Sequence, residues 1–113
     1  MEKLSIDELK PLIDKYILDK EYYSGITNDS IFIVNDQGMS WFKPNVKTIH
    51  VIPTDLGYLV TAYIKQETPT LLNMPTHIRQ TLKTDGVSIM AVIRNDEIET
   101  KLVETLDIYF QNM

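Results

Sequence analysis

Apolar positions in the first part of the chain repeat with a helical period. Leu9, Leu12, Ile13, Tyr16, Ile17 and Tyr23 fall within about 140° of arc at 100° per residue, the buried stripe of an amphipathic helix. Ser5 followed by Glu8 has the spacing of a capping box, in which each side chain satisfies an orphan N–H of the first turn. Pro11 lies inside this stretch, where a helix would lose the bond to the Asp7 carbonyl at about 3 kcal/mol. The pattern therefore predicts a short turn over residues 5–9, then a main helix with Pro11 in its first turn, stopping before Ser24-Gly25.

The period then changes. Ile31-Phe32-Ile33-Val34 is β-branched and aromatic, the composition of a strand. Asn35-Asp36-Gln37-Gly38 reads as a turn, Met39–Lys43 as a returning strand, and Lys47–Ile52 as a third strand after Pro44-Asn45. Pro53-Thr54-Asp55-Leu56-Gly57 is a second turn and Tyr58–Gln66 a fourth strand, so two consecutive hairpins predict an antiparallel meander. Pairing Val51 with Val60 sets Ile49 against Ala62 on the core side. Thr48, His50, Thr61 and Tyr63 then share the opposite face, and a slip of one residue would invert the arrangement.

Farther on, Leu71, Met74, Ile78 and Leu82 have helical spacing interrupted by Pro75. This predicts a helix from about Pro75 to Lys83, with Gly86 as its glycine cap after Thr84-Asp85. Val87–Arg94 is nearly all apolar, as in a central strand buried on both faces. Asp96 and Glu99 repeat the capping-box spacing, and Ile98, Leu102, Val103, Leu106, Tyr109 and Phe110 form one helical stripe. Glu97 and Lys101 stand in the favourable i,i+4 order. Together these elements predict one globular domain over residues 1–113 in the order α-β-β-β-β-α-β-α. The expected class is α+β: a mainly antiparallel sheet of about five strands, covered on one face by helices. The other face is left to solvent or to a partner.

Composition narrows the function classes. A hydrophobic share of 43% is too high for a disordered chain, and the length of 113 residues suits a single domain. Sixteen acids against eleven bases give a net charge of −5, which disfavours direct nucleic-acid binding through bulk charge. The absence of cysteine removes disulfides, thiolate nucleophiles and zinc–sulfur sites. No apolar run has the length of a secretory h-region or a membrane span, so the expected location is cytoplasmic, without membrane attachment. Charge is unevenly spread: residues 1–37 carry −4, residues 38–83 carry +3 and residues 84–113 carry −4. Such polarity can steer a partner.

Catalytic and ligand motifs are missing. Gly25, Gly38, Gly57 and Gly86 are all assigned to turns or caps, and no phosphate-cradling pattern is present. His50 and His77 stand 27 positions apart with no second histidine near either, so no metal or cofactor is expected. No serine lies in a nucleophile elbow, and Asp96, Glu97 and Glu99 are read as capping and dipole groups. The protein is expected not to be an enzyme. The one place left for chemistry is His50 as a general base beside Thr61 and Tyr63.

The sharpest local feature is aromatic and basic: Met39-Ser40-Trp41-Phe42-Lys43-Pro44-Asn45-Val46-Lys47. Neighbouring Trp41 and Phe42 point to opposite sides of a strand, so one of them leaves the core. Trp41 or Phe42, with Lys43, Lys47 and Tyr63, then forms an aromatic anchor with basic flanks on the outer face of the meander.

Two resemblances concern architecture. The strand, helix, strand order in Leu59–Phe110 resembles the alkaline-shock envelope-stress family, although Leu102–Phe110 has helical periodicity where that family closes with a strand. The small acidic α+β design is similar to secretion-chaperone-like domains, a likeness of fold with no motif beneath it. No site residue is carried over from either.

The resulting expectation is a non-enzymatic protein–protein interaction module: an adaptor, a chaperone-like subunit or a small inhibitor. The alternative is an acidic decoy that occupies the nucleic-acid-binding groove of another protein, with Asp14, Asp19, Glu21, Glu97, Glu104 and Asp107 supplying the charge. A homodimer through an open sheet edge or the exposed face is compatible with either.

Overall fold

The computed structural model describes residues 4–35 and 48–112. The expected strand Met39–Lys43 and its turn at Asp36–Gly38 lie outside these residues, as do Trp41, Phe42, Lys43 and Lys47. Helix α1 spans Ile6–Ile17, and strands β1 and β2 span Tyr23–Thr27 and Ser30–Val34. Strands β3 (Thr48–Pro53), β4 (Gly57–Lys65), β5 (Arg79–Leu82) and β6 (Gly86–Arg94) follow. A 3₁₀ turn at Asn95–Glu97 then leads into helix α2, Ile98–Gln111. The strands form one antiparallel sheet in the order β1-β2-β3-β4-β6-β5, and the class is α+β.

The capping box at the start of α1 forms in both directions, with Ser5 and Glu8 each accepting the other's backbone N–H. The helix runs on without a break, so Pro11 sits in its interior rather than in the first turn of a later helix. The cap and the burial of Leu9, Ile13 and Ile17 against the sheet offset the missing Pro11 bond. The helix also ends earlier than its stripe suggests. Tyr23, Ser24 and Gly25 belong to β1, whose two-residue link to β2 places Asn28 in the left-handed region at φ 47°. Asparagine tolerates that conformation, and the Asn28-Asp29 pair is the sequence signal for this hairpin. Gly25 occupies the strand, not a turn. Its missing Cβ makes room for the Phe32 ring across the ladder.

The β3–β4 register agrees with the pairing of Val51 with Val60, and Ile49 stands opposite Ala62. Their turn is held by Thr54, whose Oγ1 accepts the N–H groups of Leu56 and Gly57 at 3.3 and 3.2 Å. Beyond β4 the expected helix at Pro75–Lys83 does not form. Residues 66–78 cross the sheet without regular structure, and Arg79–Leu82 pairs with β6 instead. The crossing brings Leu72, Met74 and Ile78 to the core, and Gln80 clamps it by bonding the backbone N–H and carbonyl of Leu72 at 2.6 and 2.8 Å. Helical spacing was a local coincidence, overridden because β6 has a ladder edge whose N–H and C=O groups need partners.

Both helices lie on the same side of the sheet. Their buried stripes meet Ile31, Ile33, Ile49, Val51, Tyr58, Val60, Ile89 and Ala91 in one core. Two tyrosine hydroxyls tie this layer down. Tyr109 donates to the Val60 carbonyl at 2.6 Å and Tyr58 to the Leu4 carbonyl at 2.7 Å. The second expected capping box is absent: α2 begins without a side-chain cap, and Asp96 turns back towards Arg94 at 3.5 Å. Lys101 pairs with Glu104 at 3.3 Å rather than with Glu97.

Candidate protein-interaction surface

Alternation along the strands divides inward from outward side chains. In β4, Tyr58, Val60 and Ala62 point to the helices, so Leu59, Thr61, Tyr63 and Lys65 belong to the opposite face. In β6, Val87, Ile89, Ala91 and Ile93 point inward, which turns Ser88, Met90, Val92 and Arg94 outward. The strand is central, as its apolar run suggests, but it is not buried on both faces. An all-apolar run conceals which half of its residues faces the core.

Cross-strand pairing arranges the outward residues in rows. Ile52, Leu59 and Val92 align across β3, β4 and β6 as an apolar row. The next row reads His50, Thr61, Met90 and Arg79, and the third reads Tyr63, Ser88 and Thr81. Val92 is 60% exposed and Tyr63 40%. Lys65, Arg79 and Arg94 stand at the ends of these strands, so the surface has one apolar row beside two largely polar ones, with cations at its border, of which Arg94 is paired with Asp96 and Glu97. On the β2 side of the same face, Phe32 and Val34 are buried.

Of the expected site residues, the structure places Tyr63 on this face, together with Thr48, His50 and Thr61, as the register requires. The Tyr63 hydroxyl donates to Asp85, and this bond raises its phenol pKa above the ordinary range. His50 is half-buried, and burial pushes its imidazole pKa down. Among the described residues, no three histidine, aspartate or glutamate side chains are grouped to hold a metal ion, and no helix is long and apolar enough to cross a membrane. Leu59, Met90, Val92, Arg79 and Arg94 are surface residues that pattern reading did not single out. Their placement depends on which strands β6 pairs with.

A scan against protein-family models finds no match, and searches of curated proteins and of solved structures return none. The strand–helix–strand order behind the likeness to the alkaline-shock family is not formed either, because residues 66–82 are a crossing loop and a strand.

Proposed function

We propose that the protein is a non-enzymatic binding module that docks a protein partner on the open face of its sheet. The observation carrying this reading is that both described helices lie on one side of the sheet while Val92 and Tyr63 are exposed on the other, beyond the part of that face where Phe32 and Val34 are buried. The other side carries the half-buried Ile52 and Leu59 beside the exposed Val92 and Tyr63, with Lys65 and Arg79 at the strand ends. Such a surface fits a partner with an apolar centre and an acidic rim. Burial of the apolar row would supply affinity, and the charges would set orientation.

The decoy reading has less support. Its carboxylates do lie on the helical side, but Asp14 is bonded to Lys10 and Ser24, and Asp19 is paired with Lys20. Glu97 is paired with Arg94, Glu104 with Lys101, and Asp107 accepts the Tyr16 hydroxyl. Four of the six carboxylates, Asp14, Asp19, Glu97 and Glu104, are thus held in internal ion pairs and project a weaker field than a phosphate mimic needs, while Asp107 and Glu21 keep their charge.

The test is affinity capture from extracts of the source organism, compared between the natural chain and Val92→Asp. Leu56→Ser, at an exposed leucine in the β3–β4 turn, serves as control. A partner retained by the control and lost by Val92→Asp, with the melting temperature unchanged, supports the reading. A partner captured equally by Val92→Asp overturns it.

A further inference from the structure

The sheet ends in two edge strands, β1 and β5, and they differ in charge. β1, Tyr23-Ser24-Gly25-Ile26-Thr27, carries none. β5 runs from Arg79 to Leu82 and turns into β6 through a two-residue link, where the Lys83 N–H donates to the Gly86 carbonyl at 2.8 Å. Antiparallel pairing alternates from that bond, so Thr81 and Arg79 bond to Ser88 and Met90. The backbone N–H and C=O groups of Gln80 and Leu82 therefore point away from the sheet, and they have no partner among the described residues. Alternation also turns Arg79, Thr81 and Lys83 to the open face. Arg79 and Lys83 are exposed and form no ion pair among the described residues. The acids nearest to β5 in sequence lie on the β4 side of β6. Asp85 accepts the Tyr63 hydroxyl, and Glu67 follows Gln66, whose N–H donates to the Asp85 carbonyl at 2.9 Å.

We propose that β5 binds an extended segment of another protein, which adds to the sheet as a further strand and places an acid opposite each of the two cations. The open ladder selects the conformation. An extended chain presents N–H and C=O groups at the spacing of Gln80 and Leu82, whereas a helix has satisfied its own. Charge selects the sequence. In an antiparallel pairing, incoming residues j, j+2 and j+4 stand opposite Lys83, Thr81 and Arg79 on one face. Carboxylates at j and j+4 then meet the two unpaired cations. The residue at j+1 covers Leu82, which is 49% exposed, and is apolar. The same register disfavours a second copy of the chain. Two β5 strands paired about Thr81 exchange bonds between Gln80 and Leu82, and this sets Arg79 opposite Lys83 twice. Sliding the copies until Arg79 meets Asp85 takes Gln80 off the partner strand and leaves Leu82 alone exchanging bonds.

The experiment titrates the full chain into a labelled peptide of about nine residues with Glu-Val-Thr-Gln-Glu at its centre, read by fluorescence anisotropy. N-methylation of its valine and glutamine removes the donors that face β5 and keeps its charge. N-methylation of its threonine removes a donor that faces away. Saturable binding is expected, weakened at least about tenfold by the first modification and much less by the second. Leu82→Pro should weaken it as strongly, because that N–H points out of the sheet and no β5–β6 bond is lost; circular dichroism confirms folding. Arg79→Glu combined with Lys83→Glu should abolish binding, and a peptide with lysine in place of both glutamates should restore it. Equal binding of the doubly methylated peptide, or no rescue by the charge exchange, overturns the inference whether or not Leu82→Pro folds. So does a dimer in sedimentation velocity that Leu82→Pro dissolves, which would make a second copy the occupant. Val92 has no partner on β5, so Val92→Asp should leave peptide binding unchanged, and failure here leaves the open-face reading untouched.

Discussion

The Phe32 ring lies over Gly25 across the β1–β2 ladder: a Cβ on Gly25 would stand 2.3 Å from the ring's Cζ. Contact that short forces the ring or the strand to move. Gly25→Ala is expected to lower stability by about 1–3 kcal/mol, the range for overpacking, and Phe32→Ala by about 3–5 kcal/mol through a cavity. The double variant should cost less than the sum, since removing the ring relieves the clash. Urea midpoints of the four proteins measure this, and strict additivity would contradict the contact.

Pro11 provides a change in the opposite direction. Its ring is exposed within α1 and its nitrogen donates nothing to the Asp7 carbonyl. Pro11→Ala restores that bond and should raise stability by about 1–3 kcal/mol. Ser5→Ala removes one half of the capping box and should lower it by about 0.5–2 kcal/mol. A melting temperature that falls in Pro11→Ala would show that the ring is needed for packing.

The Gln80 clamp ties the crossing loop to β5 through both backbone groups of Leu72. Gln80→Ala leaves a half-buried N–H and carbonyl without this partner, at about 1–3 kcal/mol. Limited proteolysis should then cut first within residues 66–78. A cleavage pattern identical to that of the natural chain would show that the loop is held by its apolar anchors alone.

Alkaline pH should unfold the chain through its tyrosines. Burial raises the phenols of Tyr16, Tyr22, Tyr58 and Tyr109 above their ordinary value, and Asp107 adds to the rise at Tyr16. A raised folded-state pKa means that the native state holds its proton longer than the unfolded chain. The contribution is therefore complete below the unfolded pKa of about 10 and declines as pH climbs above it. Denaturation midpoints at several pH values, followed with phenolate absorbance, should show stability falling above about pH 10, with a shallower fall in Tyr109→Phe. Titration of these phenols near pH 10 in a chain that stays folded would contradict their burial.

The legible part of this fold consists of elements whose residues answer to their own neighbours. The Ser5–Glu8 box, most of the α2 stripe and the alternation that pairs Val51 with Val60 are short-range patterns that form as their spacing implies, although Val103 of the stripe is exposed and Thr105 is buried. At Asp96 and Glu99 the same spacing gave no cap, because Asp96 lies within the 3₁₀ turn Asn95–Glu97 and the N-cap position of α2 falls on Glu97. Tyr23 fits the helical stripe of α1 yet pairs with Val34. The candidate surface was legible only for Tyr63, His50, Thr48 and Thr61, whose face follows from one register.

The sequence by itself determined the α+β class, the helices at the two ends of the described chain and the inward face of the meander, because period and capping act over a few residues. Tertiary structure alone decided that Arg79–Leu82 is an edge strand, that Gly25 shelters a ring, and that Ile52, Leu59 and Val92 line up outside. Those outcomes depend on hydrogen-bonding groups and volumes contributed by segments distant in the chain, and no local period encodes them.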